Sequence, residues 1–298
     1  MKSDFYPMAF RANTSAILSK KLTAPRSKVA PMDQTNHIPS CLPGVRLIDA
    51  QYQHFAFPRH FHLEYHLGLV VRGRQRYLHQ GESHQADTGD VLLMAPEQIH
   101  DGAGVDGQSY QIRVLAFDPQ WLDDASRSLS DERQGAPRLT TSILRDANLR
   151  GQLQDLHGAL LQGSRLEQEG HLWPALANLL GQGSTLRVRE PEHGFDTRTW
   201  SRLREWLESR LDSPPSLEEL ALFCGLSPWQ ALRRFNRQCG LPPHQWLTQL
   251  RLERALPRVL RGESLSEVAL DLGFYDQAHF SRLFRRNYGV PPAKLRSR

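Results

Sequence analysis

The sequence predicts an α+β chain in two halves: a small β-barrel or sandwich with flanking helices, then an all-α domain holding two helix-turn-helix units. Three observations predict this. Between Val45 and Phe117, short β-rich runs are broken by Gly and Asp. Between residues 139 and 182, leucines recur every three to four positions. In the last third one segment occurs twice: Ser216-Leu217-Glu218-Glu219-Leu220-Ala221 returns as Ser264-Leu265-Ser266-Glu267-Val268-Ala269, and Gly225-Leu226 as Gly273-Phe274, at an offset of 48. Past that turn the offset is 49, since Arg233-Arg234-Phe235 answers Arg282-Leu283-Phe284 and Gly240-Leu241-Pro242-Pro243 answers Gly289-Val290-Pro291-Pro292.

Residues 1–40 mix Ser, Thr, Pro, Ala and Lys around isolated apolar residues without a period, which predicts a mobile, disordered tail and leaves Met32 as an alternative start. Strands are expected at Val45 to Phe55, Tyr65 to Val71, Gln75 to His79, Val91 to Met94 and Tyr110 to Phe117. Residues 41–138 form the barrel domain on this reading. Leu149, Leu153, Leu156, Leu160 and Leu161, then Leu172, Leu176, Leu179 and Leu180, describe two amphipathic helices over 139–182, a coupling region whose apolar faces pack on the barrel or on a second protomer. Gly, Ser, Pro and Glu replace apolar residues over 183–195, a linker. The basic domain is 196–298.

That last segment holds 17 Lys and Arg against 11 Asp and Glu, whereas residues 1–195 hold 20 against 21. The overall charge of +5 therefore sits in the C-terminal third, as for a polyanion-binding module joined to a nearly neutral one. A solvated basic surface would give the same numbers. Three cysteines without a C-x-x-C pair argue against a disulfide scaffold and for a reducing, cytoplasmic setting. No apolar run approaches the roughly 20 residues that cross a bilayer, so no membrane partner is expected.

In the second repeat Asp276 precedes a helix running to Tyr288, and Gly289 ends it. Phe280, Phe284 and Tyr288 fall on one stripe with Leu283 beside them, leaving Gln277, Ala278, Ser281, Arg282 and Arg285 on the opposite face. Gln pairs with adenine N6 and N7, Arg with guanine O6 and N7, and an Ala methyl meets a thymine methyl, so this face suits a major groove. In the first repeat Ser227 caps and Pro228 opens a helix. Ala231, Phe235 and Cys239 turn inward there, leaving Trp229, Gln230, Arg233 and Arg237 outward. Between the two, His244 to Leu260 reads as a helix that sets their separation at about 34 Å, one turn of B-DNA. Pro257 is expected to kink or break it.

The run Gly273-Phe274-Tyr275-Asp276-Gln277-Ala278-His279-Phe280-Ser281-Arg282-Leu283-Phe284-Arg285-Arg286, followed by Gly289-Val290-Pro291-Pro292, resembles the signature of the AraC/XylS family of bacterial transcription regulators. The resemblance covers about residues 198 to 296. It implies a seven-helix DNA-binding domain with reading helices at Pro228–Gln238 and Asp276–Tyr288, and base contacts from Trp229, Gln230 and Arg233 and from Gln277, Ala278, Ser281 and Arg282. It also implies double-stranded DNA, a small-molecule effector and RNA polymerase as partners, a possible homodimer, and activation or, alternatively, repression. Ala231 departs from the larger apolar residue that family members often carry there.

Pro58-Arg59-His60-Phe61-His62, then His66, Gly73, Gly89-Asp90, Pro96 and His100, resemble the two cupin motifs, with His66 where metal-binding cupins carry Glu. The first half is thus expected to be a cupin-like effector-binding barrel, with Arg59, His60, His62, Tyr65, His66, Arg76, Tyr77 and His100 as candidate pocket residues. Arginine with histidine suits a carboxylate-bearing metabolite, and each of these side chains is equally able to make a structural hydrogen bond. No cofactor and no catalytic residue are assigned. The alternative is a divalent metal held by His60, His62, His66 and His100 in a cupin enzyme fused to a DNA-binding domain. A third reading, a DNA alkyl transferase, requires an activated cysteine, and Cys41, Cys224 and Cys239 lack the Pro-Cys-His or metal context for one.

Overall fold

The computed structural model describes residues 33–130 and 137–295. Among the described residues ten strands build the first half: β1 (Gln34–Pro39), β2 (Val45–Tyr52), β3 (Phe57–His60), β4 (Tyr65–Arg72), β5 (Arg74–His79), β6 (Glu82–Asp87), β7 (Val91–Met94), β8 (His100–Gly104), β9 (Tyr110–Phe117) and β10 (Ile143–Leu144). They form a six-stranded sheet ordered β1-β2-β9-β4-β7-β10 and a four-stranded sheet ordered β3-β8-β5-β6.

The five strands expected from alternation are β2, β4, β5, β7 and β9. The other strands lack a readable period: β6 is mostly exposed, and β8 has glycine at two of five positions. β1 corrects part of the tail assignment, because residues 34–39 pair antiparallel with β2, Gln34 opposite Gln51 and Pro39 opposite Arg46. The rest of that tail, with Met32, lies outside the described residues.

The six-stranded sheet is apolar on both faces. In β7 all four residues are buried, yet Val91 and Leu93 join one core while Leu92 and Met94 join another. The first core, with Leu47, Leu67, Leu69, Leu115 and Phe117, faces three helices: α1 (Pro119–Leu129), α2 (Ala147–Gln162) and α3 (Arg165–Gly183). The second, with Ala50, Val70, Tyr77, Tyr110 and Ile112, lies between the sheets. Helix α1 was not expected from the leucine period; Pro119 opens it and the Asp118 carboxylate accepts from the amides of Gln120 and Trp121. The leucines singled out on α2 and α3 are buried within the chain, apart from Leu161, which is exposed. Their apolar faces thus pack on the sheet, not on a protomer surface.

Six α-helices follow: α4 (Thr197–Glu208), α5 (Leu217–Cys224), α6 (Pro228–Cys239), α7 (Pro243–Leu260), α8 (Leu265–Asp271) and α9 (Gln277–Tyr288). Among the described residues the seventh helix that the resemblance implies is reduced to a single 3-10 turn, Pro292–Lys294. Local chemistry fixes the turns. Ser216 with Glu219 and Ser227 with Gln230 make reciprocal capping boxes, and Gly225, Gly240 and Gly289 end their helices in the left-handed conformation. α7 is not broken at Pro257; it continues to Leu260, because a proline so near the C-terminus removes only one bond from the last turn.

The apolar core does not stop where the charge changes. One continuous cluster runs from the sheet through α1–α3 into Leu203, Leu207, Leu220, Trp229, Leu232, Phe235 and Leu247, and so includes the first helix-turn-helix unit. The second unit has a separate core of Leu252, Ala255, Val259, Val268, Phe274, Phe280 and Phe284. Among the described helices only α7 supplies buried residues to both, and Leu211 packs against each.

Candidate nucleic-acid interface and ligand cavity

The two reading helices differ in what covers them. On α9, Phe280 and Phe284 are fully buried, Leu283 and Tyr288 flank them, and Gln277, Ala278, Arg282 and Arg285 stand exposed with Ser281 half-buried. This is the face expected from the spacing. Asp276 caps the helix through the His279 amide at 2.6 Å, so its N-terminal turn is fixed.

On α6 the corresponding face is occupied. Trp229, expected outward, is only 3% exposed, because it points away from its own unit into the linker. Its indole Nε1–H donates to the Arg189 carbonyl at 2.8 Å. The Ser227 hydroxyl donates to the Ser128 carbonyl of α1 at 3.3 Å, and the Trp229 amide donates to the Ser128 hydroxyl at 3.4 Å. Arg233 pairs with Glu190 at 2.6 Å and lies over the Trp229 ring at 5.3 Å, while Arg237 reaches the Glu192 carbonyl at 3.5 Å. The linker is itself held to α1, where the Arg189 amide donates to the Leu129 carbonyl at 2.7 Å.

Other contacts tie the first unit to α3. The buried Glu169 carboxylate accepts from the Leu217 amide at 2.6 Å, at the N-terminus of α5, and pairs with Arg165 at 3.0 Å. Burial pushes its carboxyl upward, against both partners. α7 comes so close to α3 that a Cβ on Gly170 would lie 2.2 Å from Nδ1 of His244. Burial first, then His171, hold the His244 imidazole down at about 3.

A cavity of about 480 Å³ opens between the two sheets. From the six-stranded sheet it is lined by Thr35 and His37 on β1 and, on the four strands β2, β4, β7 and β9, by even-numbered residues: Arg46, Ile48, Ala50 and Tyr52 on β2, His66 and Gly68 on β4, Leu92 and Met94 on β7, Tyr110, Ile112 and Val114 on β9. From the other sheet come Phe57, His60, Gln75, Tyr77 and His100, with His62 from the β3–β4 turn. Of the eight candidates, His60, His62, His66, Tyr77 and His100 line the cavity. Arg59, Tyr65 and Arg76 do not, for a geometric reason: each is the chain neighbour of a lining residue, and adjacent strand residues point to opposite faces. Gln75 takes the inward place instead. Tyr52, Gln75, Met94 and Tyr110 were missed because residues were chosen by chemical type, whereas strand phase carried the signal. Two buried polar atoms on this wall, Gln75 Oε1 and the Tyr110 hydroxyl, have no hydrogen-bond partner among the described residues.

Four histidines crowd one end. His60 lies opposite His100 across the β3–β8 pair. His60, His62 and His100 each offer a ring nitrogen, all within 4.8 Å of one another. His66, expected as a fourth member, instead stacks on His62 with ring centroids 3.7 Å apart, which leaves the triad without it. Nδ1 of His60 lies 2.8 Å from the Pro58 carbonyl and Nδ1 of His100 lies 2.8 Å from the Gln98 carbonyl. Burial, followed by the neighbouring histidines, holds His62 down at about 3; burial and then His100 hold His66 at about 4. Arg46, the one arginine of the wall, is paired with Glu64. Among the described residues no helix is long and apolar enough to cross a membrane.

Comparison with known proteins agrees with both halves. A family model described as an AraC-like ligand binding domain matches residues 42–181, and a helix-turn-helix domain model matches residues 220–298. The HTH-type transcriptional regulator YbfI of Bacillus subtilis is 27% identical over 75% of this chain and 81% of its own length. The HTH-type transcriptional activator RhaS of Klebsiella pneumoniae is 26% identical over 84% of this chain and 91% of its own. The HTH-type transcriptional regulator MtrA of Neisseria gonorrhoeae is 33% identical over 32% of this chain and 33% of its own.

Proposed function

This chain belongs to the AraC family of transcription regulators, and from that premise we propose that a small molecule in the barrel controls whether both reading helices are free to meet DNA. A single observation carries the proposal. The base-reading face of α6 is covered by the linker and α1, while the equivalent face of α9 is open. A helix face that packs on Arg189, Glu190 and Ser128 has no room for base edges, so reading by the first unit requires release. An effector that binds the released arrangement more tightly shifts the population toward it, by no more than its difference in affinity for the two.

In this reading Trp229, Gln230, Arg233 and Arg237 of α6 and Gln277, Ala278, Ser281, Arg282 and Arg285 of α9 contact DNA, with α7 setting a spacing of about 34 Å. His60, His62, His66, Tyr77 and His100 contact the effector. Residues 41–138 sense, 139–182 couple, 183–195 both link and cover, and 196–298 bind DNA. The relatives that span most of the chain carry the names of regulators, so we assign regulation and not catalysis. RhaS is named an activator, which favours activation through RNA polymerase. A homodimer would multiply affinity for paired half-sites. Footprinting of the full chain on genomic fragments, with and without a metabolite panel, tests this. Protection over one major groove that widens to two successive grooves with one metabolite is expected, and no protected sequence under any condition refutes it.

A further inference from the structure

We propose that His60, His62 and His100 hold one divalent first-row metal ion at the end of the barrel cavity, and that the effector is an apolar-bodied molecule that binds this ion through two oxygen atoms. The inference rests on the reading of the cavity as the effector site.

The donor set fits a metal. A carbonyl oxygen only accepts, so the contacts from Pro58 and Gln98 place the proton of neutral His60 and of neutral His100 on Nδ1. The lone pair of each ring is thereby fixed on Nε2. Histidines that ligate metals are oriented in this way, by a carbonyl or carboxylate on the other ring nitrogen. The turn that carries His100 is braced as well, since the Gln98 side chain accepts from the Ala95 amide at 2.9 Å and contacts His79 at 3.1 Å. His66 stacks on His62 and keeps that ring in place without entering the triad. Three imidazoles in one group within 4.8 Å are the ligand type that suits Zn, Fe, Co and Ni, and three protein ligands leave coordination positions open.

The rest of the cavity indicates what fills those positions. With Arg59 and Arg76 outside and Arg46 paired to Glu64, no unpaired guanidinium among the described residues lines the cavity to face an anionic effector. A metal ion would meet that charge. The floor of Ile48, Leu92, Met94, Ile112 and Val114 accommodates an apolar body. The unpartnered Gln75 Oε1 and Tyr110 hydroxyl supply one acceptor and one donor for a further polar group. Together these fit α-hydroxy acids, α-keto acids or catechols with an apolar or aromatic remainder.

The test uses the full chain, stripped with a chelator and titrated with Co²⁺, whose ligand-field absorption reports the donors directly, with acetohydroxamate then added as a two-oxygen probe. One Co²⁺ per chain is expected, with affinity at least about tenfold weaker in His60→Gln and in His100→Gln and little changed in His193→Gln, an exposed histidine of the linker. Acetohydroxamate should alter the spectrum of the loaded wild type. Thermal unfolding of each variant separates lost binding from lost fold, and the wild-type titration stands by itself if a variant does not fold. Uptake no greater than that of a triple variant at 60, 62 and 100 overturns the site. Uptake without a spectral response to the probe overturns the chelating effector. If metal-free protein still gives a metabolite-dependent footprint, this inference fails while the regulator reading survives.

Discussion

If the linker covers α6, then weakening its grip should tighten DNA binding, and Glu190→Gln weakens it at one atom pair. Arg233 and Glu190 are 30% and 43% exposed, so their 2.6 Å contact is a surface ion pair worth about 0.2 to 1 kcal/mol. The Trp229–Arg189 hydrogen bond adds about 0.5 to 1.5 kcal/mol and survives the substitution. Affinity for an operator fragment should therefore rise about 1.4- to 5-fold, leaving the cover partly in place. Fluorescence anisotropy at one fixed salt concentration measures it, since binding to phosphates varies steeply with salt. Losing any negative charge near DNA helps binding somewhat, so Glu192→Gln is the control: its side chain is 88% exposed and pairs with His193 at 3.9 Å. In an Arg233→Ala background the gain from Glu190→Gln should vanish. Equal gains in the two glutamine variants, or a loss in Glu190→Gln, would refute the covering role.

Arg282→Ala on the open face should cost about 1 to 3 kcal/mol at one operator base pair, and equal loss on scrambled DNA would make Arg282 a phosphate contact instead. Phe284→Ala removes a fully buried ring from the second unit's own core and should cost about 3 to 5 kcal/mol; calorimetry should show that unit melting ahead of the rest, and a single unshifted transition would contradict the separate core. Burial, followed by Arg113, holds the His157 imidazole at about 4, below the roughly 6.5 of an unfolded chain. The unfolded chain then takes up protons first as pH falls, so stability is full above about pH 6.5 and declines toward pH 4 by up to about 1.4 kcal/mol per unit from this group. Urea unfolding near neutrality and near pH 5 reads the total slope, to which His62, His66 and His244 contribute with the same sign, and His157→Leu should reduce it by its own share; an unchanged slope argues against it.

Much of this architecture was legible because the chain obeys simple periods. The reading helix α9 was found whole, since Phe280 and Phe284 are spaced by four and Asp276 and Gly289 mark its ends. The short and polar strands β1, β3, β6 and β8 were not, because pairing with neighbouring strands, and not their own composition, makes them strands. In the cavity the histidines drew attention by type. The arginines chosen with them failed because Arg59 and Arg76 sit one residue out of phase with His60 and Tyr77. The environment of Trp229 was beyond reach: its spacing showed that it leaves its own core, but only the folded path of the linker determines what receives it.

The partition of the apolar interior makes the duplicated units mechanically unequal. One is anchored to the sensor, and the other is joined to the body chiefly through α7. On the reading proposed above, the free unit samples grooves weakly and reversibly while its twin stays seated. The signal then need not alter the chemistry of either unit. It would change the number of grooves that one molecule grips at once, and a step from one grip to two would multiply residence on DNA without any new kind of contact.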